Sequence, residues 1–256
     1  MSTPLLAARG IVKDYGRIKV LKNVDLDLGA GERHVVIGPN GAGKTTLFKV
    51  LSGETRPSAG TIRLEGRDVT QEAGFVRTRS GVGRSFQVAR VFLEMTALDN
   101  VIVAVEAREA TKRPWAGLLR LSAAKSVADE ATSLLVALGL GAQQETPADT
   151  LSHGDRKRLE LAMNLALRPK LLMLDEPTAG MSPTDRQAAV NLIDRVVRDN
   201  GLSLLLTEHD MGVVFQLGTR ISVLHYGEVV VSGLPAEVRA NALVREIYLG
   251  RNAGHA

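Results

Sequence analysis

Residues 38 to 46 read Gly-Pro-Asn-Gly-Ala-Gly-Lys-Thr-Thr, which matches the pattern G-x-x-x-x-G-K-[ST]. Such a loop requires a strand before it and a helix after it, because its backbone amides must converge on an anion at the positive end of the helix. The apolar run at 34–37 predicts the strand, and the spacing at 47–51 predicts the helix, which we expect to open at Thr46. The pattern therefore commits the chain to an α/β core.

The chemistry of this loop indicates a nucleoside triphosphate as its ligand. Gly41 and Gly43 leave room for backbone amides to curl around a polyphosphate. Lys44 supplies a point charge, and Thr45 offers a hydroxyl ligand to Mg²⁺. A flexible glycine-rich loop is the alternative, and the strand and helix signals on its two sides argue against it.

Length and composition fit one large α/β domain or a core with a smaller insertion. The chain has 256 residues, 45% of them hydrophobic, and no cysteine, which excludes disulfides, iron–sulfur clusters and thiolate zinc sites. A net charge of +4 with 4% aromatic residues gives little support to nucleic-acid binding. The apolar runs are far shorter than the roughly 20 residues that span a bilayer, and the N-terminus lacks the order of a signal peptide. We therefore expect a cytoplasmic protein that does not bind nucleic acid.

A second acidic element lies far along the chain, where the apolar run 171–174 ends in Asp175 and Glu176. Such a run is typical of a strand that is buried on both faces of a parallel sheet. Too many residues separate it from the loop for the next crossovers of a simple sheet. Residues 123–135 have helical spacing, so we predict a helical insertion between the two motifs.

Other patterns complete the predicted organisation. Residues 24–28 alternate between apolar and acidic side chains, as in a half-exposed antiparallel strand, and residues 221–231 predict a hairpin. A short helical tail with a frayed end is expected after it. The predicted division is an α/β core with an antiparallel part at 1–88 and 169–233, a helical subdomain at 89–168, and a C-terminal tail at 234–256.

The order of these motifs resembles that of an ATP-binding-cassette (ABC) ATPase over essentially the whole chain. The decisive match is Leu151-Ser152-His153-Gly154-Asp155, which precedes the carboxylates where this family carries its Leu-Ser-Gly-Gly-Gln signature. Ser152 and Gly154 match, whereas His153 and Asp155 depart from the commonest form. The resemblance implies an α/β fold, a P-loop NTPase (RecA-like) core with an N-terminal antiparallel β subdomain and an inserted α-helical subdomain.

In this family, the signature of one subunit closes over the ATP that is bound to another. Ser152 and the helix after it would offer a hydroxyl, backbone amides and a helix dipole to a γ-phosphate. The alternative role for Ser152 is an ordinary helix N-cap, and the two roles are compatible. The resemblance thus implies ATP contacts in trans from Ser152, His153, Gly154 and Asp155, and in the same subunit from Gly38, Pro39, Asn40, Gly41, Ala42, Gly43, Lys44, Thr45 and Thr46.

The resemblance also gives roles to single residues outside these two motifs. Asp175 is expected to hold Mg²⁺, mainly through a water, and Glu176 to polarise the attacking water; an acid pair that merely caps a helix is the alternative. Gln87 matches the Q-loop residue that reaches the metal and the water, although alone it is an ordinary loop glutamine. The expected catalytic residues are Lys44, Gln87, Glu176 and His209, and the expected Mg²⁺ ligands are Thr45, Gln87 and Asp175.

Two further residues match positions that touch the nucleotide in this family. His209, after the apolar run 202–206, matches the switch histidine that contacts the γ-phosphate; the alternative is a structural histidine. Tyr15 corresponds to the aromatic residue that stacks on adenine, and the alternative is a half-exposed strand aromatic. Ser182 stands where many relatives carry an aspartate, which weakens any transfer of that contact across the dimer.

Several phrases are similar to the ATP-binding subunits of branched-chain amino acid importers, among them Arg84-Ser85-Phe86-Gln87, residues 175–181 and Tyr248-Leu249-Gly250. This resemblance implies a peripheral subunit on the inner face of the cell membrane. Its partners would be two integral-membrane permeases and a second ABC ATPase subunit, identical or paralogous, with an extracytoplasmic solute-binding protein delivering the solute. Urea or amide importers, lipid or lipopolysaccharide exporters, soluble ABC proteins of nucleic acid or the ribosome, and P-loop kinases are the alternatives.

Overall fold

The computed structural model describes residues 3–85, 89–112 and 120–249. Helices predominate between residues 97 and 166, and strands alternate with helices from residue 171 to residue 225. The strands are β1 (Leu6–Tyr15), β2 (Ile18–Leu28), β3 (Arg33–Ile37), β4 (Ala59–Leu64), β5 (Arg67–Asp68), β6 (Val82–Arg84), β7 (Leu171–Asp175), β8 (Ser203–Thr207), β9 (Arg220–His225) and β10 (Glu228–Gly233). The helices are α1 (Lys44–Leu51), α2 (Gly74–Arg79), α3 (Ala97–Lys112), α4 (Arg120–Ala137), α5 (His153–Ala166), α6 (Pro183–Asp199), α7 (Met211–Leu217), α8 (Pro235–Ala240) and α9 (Ala242–Leu249).

The larger sheet has the strand order β10-β9-β3-β8-β7-β6. Its strands run parallel from β9 to β6, and only β10 pairs antiparallel, as the second strand of the predicted hairpin. All residues of β7 and β8 are buried, because helices or the second sheet cover both faces. The carboxyl ends of β3, β7 and β8 therefore meet at one edge of the sheet, where the phosphate-binding loop begins.

The smaller sheet is antiparallel and has the order β2-β1-β4-β5. In β2, Val24, Leu26 and Leu28 are buried while Asp25 and Asp27 are exposed, which confirms the predicted half-exposed strand. This sheet covers one face of the larger sheet, with α1 packed between them.

The period of two along the central strands explains the layered core. One set of side chains meets α1 and the antiparallel sheet, and the alternate set meets α3 to α7. The first set contains Val36, Leu171, Met173 and Leu205. The second contains Val35, Ile37, Leu172, Leu174, Leu204 and Leu206. The predicted α/β class with an antiparallel part and a helical part is confirmed.

The helices α3, α4 and α5 are joined by a half-buried cluster of charges. Arg108 on α3 binds both carboxylate oxygens of Glu130 on α4, at 2.7 and 2.8 Å, and donates to the carbonyl of Ala166 at the end of α5. Arg168 adds a further contact to Glu130 at 3.0 Å. The hydrogen bonds from Arg108, more than those from Arg168, lower the pKa of Glu130 to about 2.

Two local details differ from the sequence-based expectation. Helix α1 begins at Lys44 rather than at Thr46, because Gly43 takes a left-handed conformation, with φ of 107°, and ends the loop earlier. Glu176 is not a strand residue; it follows β7 with φ of 47°, so the two carboxylates are separated by a turn of the backbone as well as by strand alternation. The predicted helical tail is confirmed as α8 and α9, and residues 250–256 lie outside the described range.

Candidate functional site

The phosphate-binding loop is fixed by parts of the chain that are distant in sequence. A Cβ atom on Gly38 would lie 2.2 Å from the carbonyl oxygen of Leu224 on β9, so only glycine fits there. The carbonyl of Ala42 accepts a hydrogen bond from the Gly227 amide in the β9–β10 turn at 3.0 Å. The loop is therefore shaped by tertiary packing before any ligand binds.

Lys44 lies at the centre of this loop and is only 7% exposed. Its ammonium group donates to the carbonyl oxygens of Gly38 at 2.7 Å and Pro39 at 3.3 Å. Burial lowers the pKa of Lys44, while the charges of Glu176 and Asp175 act in the opposite direction. The ammonium therefore lies within the field of the carboxylate that ends β7 and of the carboxylate that follows it.

Asp175 and Glu176 are tied to the end of the neighbouring strand. The hydroxyl of Thr207, at the end of β8, donates to Asp175 Oδ1 at 2.6 Å. The Glu176 amide donates to the carbonyl oxygen and the hydroxyl of Thr207, both at 3.1 Å. Asp175 is 5% exposed, and Glu176 is half-buried at the edge of the sheet.

The hydroxyl and carboxylate oxygens near the phosphate-binding loop are ligands of the type that Mg²⁺ prefers. Thr45 is exposed in the first turn of α1, and Asp175 is the last residue of β7. Mg²⁺ is usually held by one or two protein oxygens together with phosphates and waters. In keeping with this, no group of three or more acidic or histidine side chains within the described residues could hold a metal by itself.

His209, which follows β8, lies next to Glu176. Its Nδ1 atom is 3.9 Å from a carboxylate oxygen of Glu176 and 3.9 Å from one of Glu208, and the side chain is 62% exposed. The strand ends therefore bring Lys44, Asp175, Glu176 and His209 to one place.

Glu208 was not identified from the sequence as a residue of the site. In the structure it connects the segments that carry Glu176 and His209. It is fully buried and accepts hydrogen bonds from the Thr178 hydroxyl at 2.5 Å, the Thr178 amide at 3.3 Å and the His209 amide at 3.1 Å. It thus connects the segment after β7 with the segment after β8. An acidic residue between an apolar strand and His209 was the available signal.

The signature segment is held by contacts between residues that are close in sequence, unlike the phosphate-binding loop. Ser152 is the N-cap of α5: its hydroxyl accepts from the Asp155 amide at 3.1 Å and donates to Asp155 Oδ2 at 2.7 Å. The expected N-cap role is confirmed, and the carboxylate of Asp155 is engaged in the cap. His153 is exposed and Gly154 half-buried at the start of the helix. Within the described part of the chain, no hydrogen bond or ion pair joins these four residues to the phosphate-binding loop.

The remaining candidates lie outside this cluster or outside the described ranges. Tyr15 ends β1, is 47% exposed, and has the ammonium of Lys13 at 4.9 Å from its ring centroid. Ser182 caps α6 through the same reciprocal contacts with Asp185 that Ser152 makes with Asp155. Gln87 lies outside the described residues.

Comparison with known proteins defines the class to which this fold and site belong. The family model described as ABC transporter matches residues 21–179, more than half of the chain. A second model, described as branched-chain amino acid ATP-binding cassette transporter, matches residues 228–254. The chain therefore belongs to the ABC transporter family, as the motifs predict.

Individual relatives of this chain are ATP-binding proteins of several transport systems. The chain is 39% identical to the high-affinity branched-chain amino acid transport ATP-binding protein LivG of Salmonella typhimurium, over 98% of this chain and 99% of the relative. It is 36% identical to the lipopolysaccharide export system ATP-binding protein LptB of Acidithiobacillus ferridurans, over 96% and 97% of the two chains. The crystal structure of the ADP conformation of MJ1267, an ATP-binding cassette of an ABC transporter, superposes with a TM-score of 0.81 at 27% identity, over 97% and 100% of the chains. The expected ABC ATPase fold is confirmed.

The helices of the structure also bear on how the chain relates to a membrane. In the ranges 3–85, 89–112 and 120–249, none of them combines the length and the apolar character that crossing a bilayer requires.

Proposed function

We propose that this chain is the ATP-binding and ATP-hydrolysing, energy-coupling subunit of an ABC importer for branched-chain or other hydrophobic amino acids. The observation that carries hydrolysis is the convergence of Lys44, Asp175, Glu176 and His209 at the carboxyl ends of three neighbouring strands. The importer class is supported by the similarity to LivG over the full length and by the second family model at 228–254.

The proposed reaction is in-line attack of water on the γ-phosphate of ATP. The amides of the phosphate-binding loop and Lys44 hold the phosphates, and Tyr15 stacks on the adenine. Thr45, Asp175 and Gln87 would hold Mg²⁺, which would supply positive charge to the phosphates. Glu176 polarises the water, and His209, 3.9 Å from Glu176, contacts the γ-phosphate.

In this proposal, one chain supplies only half of each complete nucleotide site. Among the described residues, no hydrogen bond or ion pair joins residues 152–155 to the phosphate-binding loop, and Ser152 and His153 are exposed at the positive end of α5. We propose that a second ABC ATPase subunit supplies this segment to the γ-phosphate. Closure of the pair around two ATP molecules is then the step that drives the permeases.

The loop before α3 is the proposed contact with the two permeases. Phe92, Leu93 and Met95 are 50%, 48% and 40% exposed, although side chains of this kind are usually buried. They follow Gln87 by a few residues in the sequence, and the backbone of this loop is bound to α5 through the Arg90 amide and Glu160. A solute-binding protein is the proposed indirect partner, and the inner face of the cell membrane is the proposed location.

Loss of the proposed base tests hydrolysis directly. We expect Glu176→Gln to bind ATP with the wild-type affinity and to lose about 10²- to 10⁴-fold in turnover, because the amide cannot act as a base. Glu65→Gln, on the surface beside Lys170, is the matched control and should hydrolyse ATP normally. Release of phosphate by Glu176→Gln at a near-normal rate would refute the assignment.

The transport assignment is tested by reconstitution with candidate permeases in vesicles. A binding protein loaded with leucine or valine should stimulate hydrolysis severalfold, whereas stimulation by lipopolysaccharide alone would favour the exporter class represented by LptB. Phe92→Asp should abolish co-purification with the permeases. Leu234→Asp is the control, because Leu234 is 57% exposed and occupies a helix N-cap, where aspartate is well tolerated.

A further inference from the structure

We infer that Lys157 is a positioning residue that connects the signature helix α5 with the catalytic carboxylate Glu176 of the same subunit. This inference rests on the proposed function, since it concerns how hydrolysis is controlled. Lys157 belongs to none of the sequence motifs discussed above.

Lys157 reaches from α5 to the backbone directly after Glu176. Its ammonium group donates to the carbonyl oxygen of Pro177 at 3.1 Å and to that of Ala179 at 3.4 Å. Thr178, between these two residues, is bound through its amide and hydroxyl to the buried Glu208. The segment after Glu176 is thus held from one side by α5 and from the other by the segment that carries His209.

The charges around Lys157 agree with this geometry. Burial lowers its pKa, and the carboxylates of Glu160, Glu208 and Glu176 act in the opposite direction. The two hydrogen bonds described for its ammonium go to backbone carbonyls. A cation so placed orients the backbone of the segment and lies within the field of the catalytic carboxylate without neutralising it through a direct bond.

The position of Lys157 along α5 would let it transmit a movement of the helix start to the segment after Glu176. Ser152, at the start of the helix, is the residue proposed to touch the nucleotide of the partner subunit. Lys157 is five positions further along the chain, a rise of about 7.5 Å within one rigid element. A movement of the helix start on dimer closure would therefore reach the Glu176 segment through the ammonium group.

A second contact extends α5 toward the proposed permease loop. Glu160, almost one turn beyond Lys157 and 4% exposed, accepts a hydrogen bond from the Arg90 amide at 3.0 Å. The same helix therefore touches the signature cap, the segment after Glu176 and the loop that carries Phe92. The rate of hydrolysis in a subunit would then depend on whether its own signature segment contacts the nucleotide of the partner subunit.

The test compares Lys157→Met with Lys157→Arg in the full chain, with Lys170→Met as the control. Methionine keeps an unbranched side chain, shorter than that of lysine by one atom, and removes the donor, whereas arginine can again donate to two carbonyls. Lys170 also makes two hydrogen bonds, both to the exposed Glu65. For each variant we measure the kcat and KM of ATP hydrolysis, the ATP affinity and the melting temperature. ATP-driven dimerisation is measured separately, with each substitution combined with Glu176→Gln.

We expect Lys157→Met to lower kcat by on the order of tenfold or more, because small misplacements of catalytic groups are costly. KM, ATP affinity and dimerisation in the Glu176→Gln background should stay within about twofold of wild type, and Lys157→Arg should recover most of the lost kcat. If Lys157→Met cannot be purified, Lys157→Gln, which can donate to one carbonyl, replaces it, with an intermediate kcat expected.

Three results would overturn the inference: a normal kcat for Lys157→Met, no recovery in Lys157→Arg, or equal losses of ATP affinity and kcat. A wild-type chain that hydrolyses no ATP, or whose activity survives Glu176→Gln, would instead refute the proposed function. The two failures are therefore distinguishable in one set of measurements.

Discussion

The two halves of the proposed nucleotide site are held in place in opposite ways. The phosphate-binding loop takes its shape from residues far along the chain: Leu224 closes on Gly38, and Gly227 binds the carbonyl of Ala42. The signature segment is held by its own neighbours, through the cap between Ser152 and Asp155 and through contacts of Arg156 with residues 149 and 151.

This difference fits the proposal that one half binds the phosphates within its own chain and the other acts on the nucleotide of a partner subunit. A loop shaped by tertiary contacts is preorganised and binds phosphate without rearrangement. The start of α5 is held by local contacts, and Ser152 and His153 are exposed, as the proposed contact with a partner's nucleotide requires. The comparison therefore predicts that changes in the loop affect the single chain and that changes in the signature affect only the pair.

The largest difference is expected between alanine substitutions at two glycines. Gly38→Ala places a Cβ atom 2.2 Å from the Leu224 carbonyl, so the backbone must shift, at a cost of about 1–3 kcal/mol. We expect a lower melting temperature and a loss of ATP affinity on the order of tenfold or more. Titration of the monomeric chain with a fluorescent ATP analogue measures the affinity.

Gly154→Ala is the matched change in the signature. Its Cβ atom would have only the Ser152 hydroxyl near it, at 3.9 Å, and alanine is favoured in a helix. We expect the monomer to keep its melting temperature and its ATP affinity, whereas ATP-driven dimerisation responds. Equal losses of monomer affinity in both variants would break the comparison.

Local patterns gave much of the fold and the core of the site. The strand before Gly38, the buried strand before Asp175 and the strand alternation from Val24 to Leu28 depend on side chains a few residues apart, and all three are present. The early start of α1 was not predictable, because it depends on the left-handed conformation of Gly43 within a packed loop.

Glu208 and Lys157 show where sequence reasoning ends. Glu208 binds Thr178, which is 30 positions away, and Lys157 binds the backbone at positions 177 and 179. Neither partner can be inferred from spacing, because backbone carbonyls carry no sequence signal and the strand order that brings them close arises from the whole sheet.

Removal of the signature cap should have an intermediate effect. Ser152→Ala is expected to cost about 1 kcal/mol of stability through loss of the N-cap. If Ser152 also contacts the phosphate of the partner's ATP, dimerisation in the Glu176→Gln background should weaken by about tenfold, since a hydrogen bond to a charged group contributes about 1.5–3 kcal/mol. Analytical ultracentrifugation with and without ATP measures this.

Thr96→Ala is the control for Ser152→Ala. Thr96 caps α3 with the same reciprocal contacts to Asp99, at 2.7 and 3.0 Å, so its loss should cost similar stability. It lies outside the signature and should leave dimerisation unchanged. A similar fall in dimerisation for both variants would mean that capping, rather than phosphate contact, is the role of Ser152.

The smallest effect is expected from the charge cluster that anchors the far end of α5. The hydrogen bonds from Arg108 lower the folded-state pKa of Glu130 to about 2, from its ordinary value of 4.5, so its ionised form stabilises the fold. This contribution is complete above pH 4.5 and is lost as the pH falls toward 2. Glu130→Gln should therefore lower the melting temperature by about 2–4 °C at pH 7, and the difference should shrink in urea unfolding experiments as the pH is lowered to 3.

Glu130→Gln also separates anchoring of α5 from formation of the phosphate-binding loop. Arg108 would lose its bidentate partner while keeping its bond to the Ala166 carbonyl, so the end of the signature helix should loosen. The contacts of Gly38 and Ala42 with β9 and its turn are untouched, so ATP affinity of the monomer should not change. A loss of monomer affinity in this variant would show that the helical part supports the loop, and the contrast between the two halves would then no longer hold.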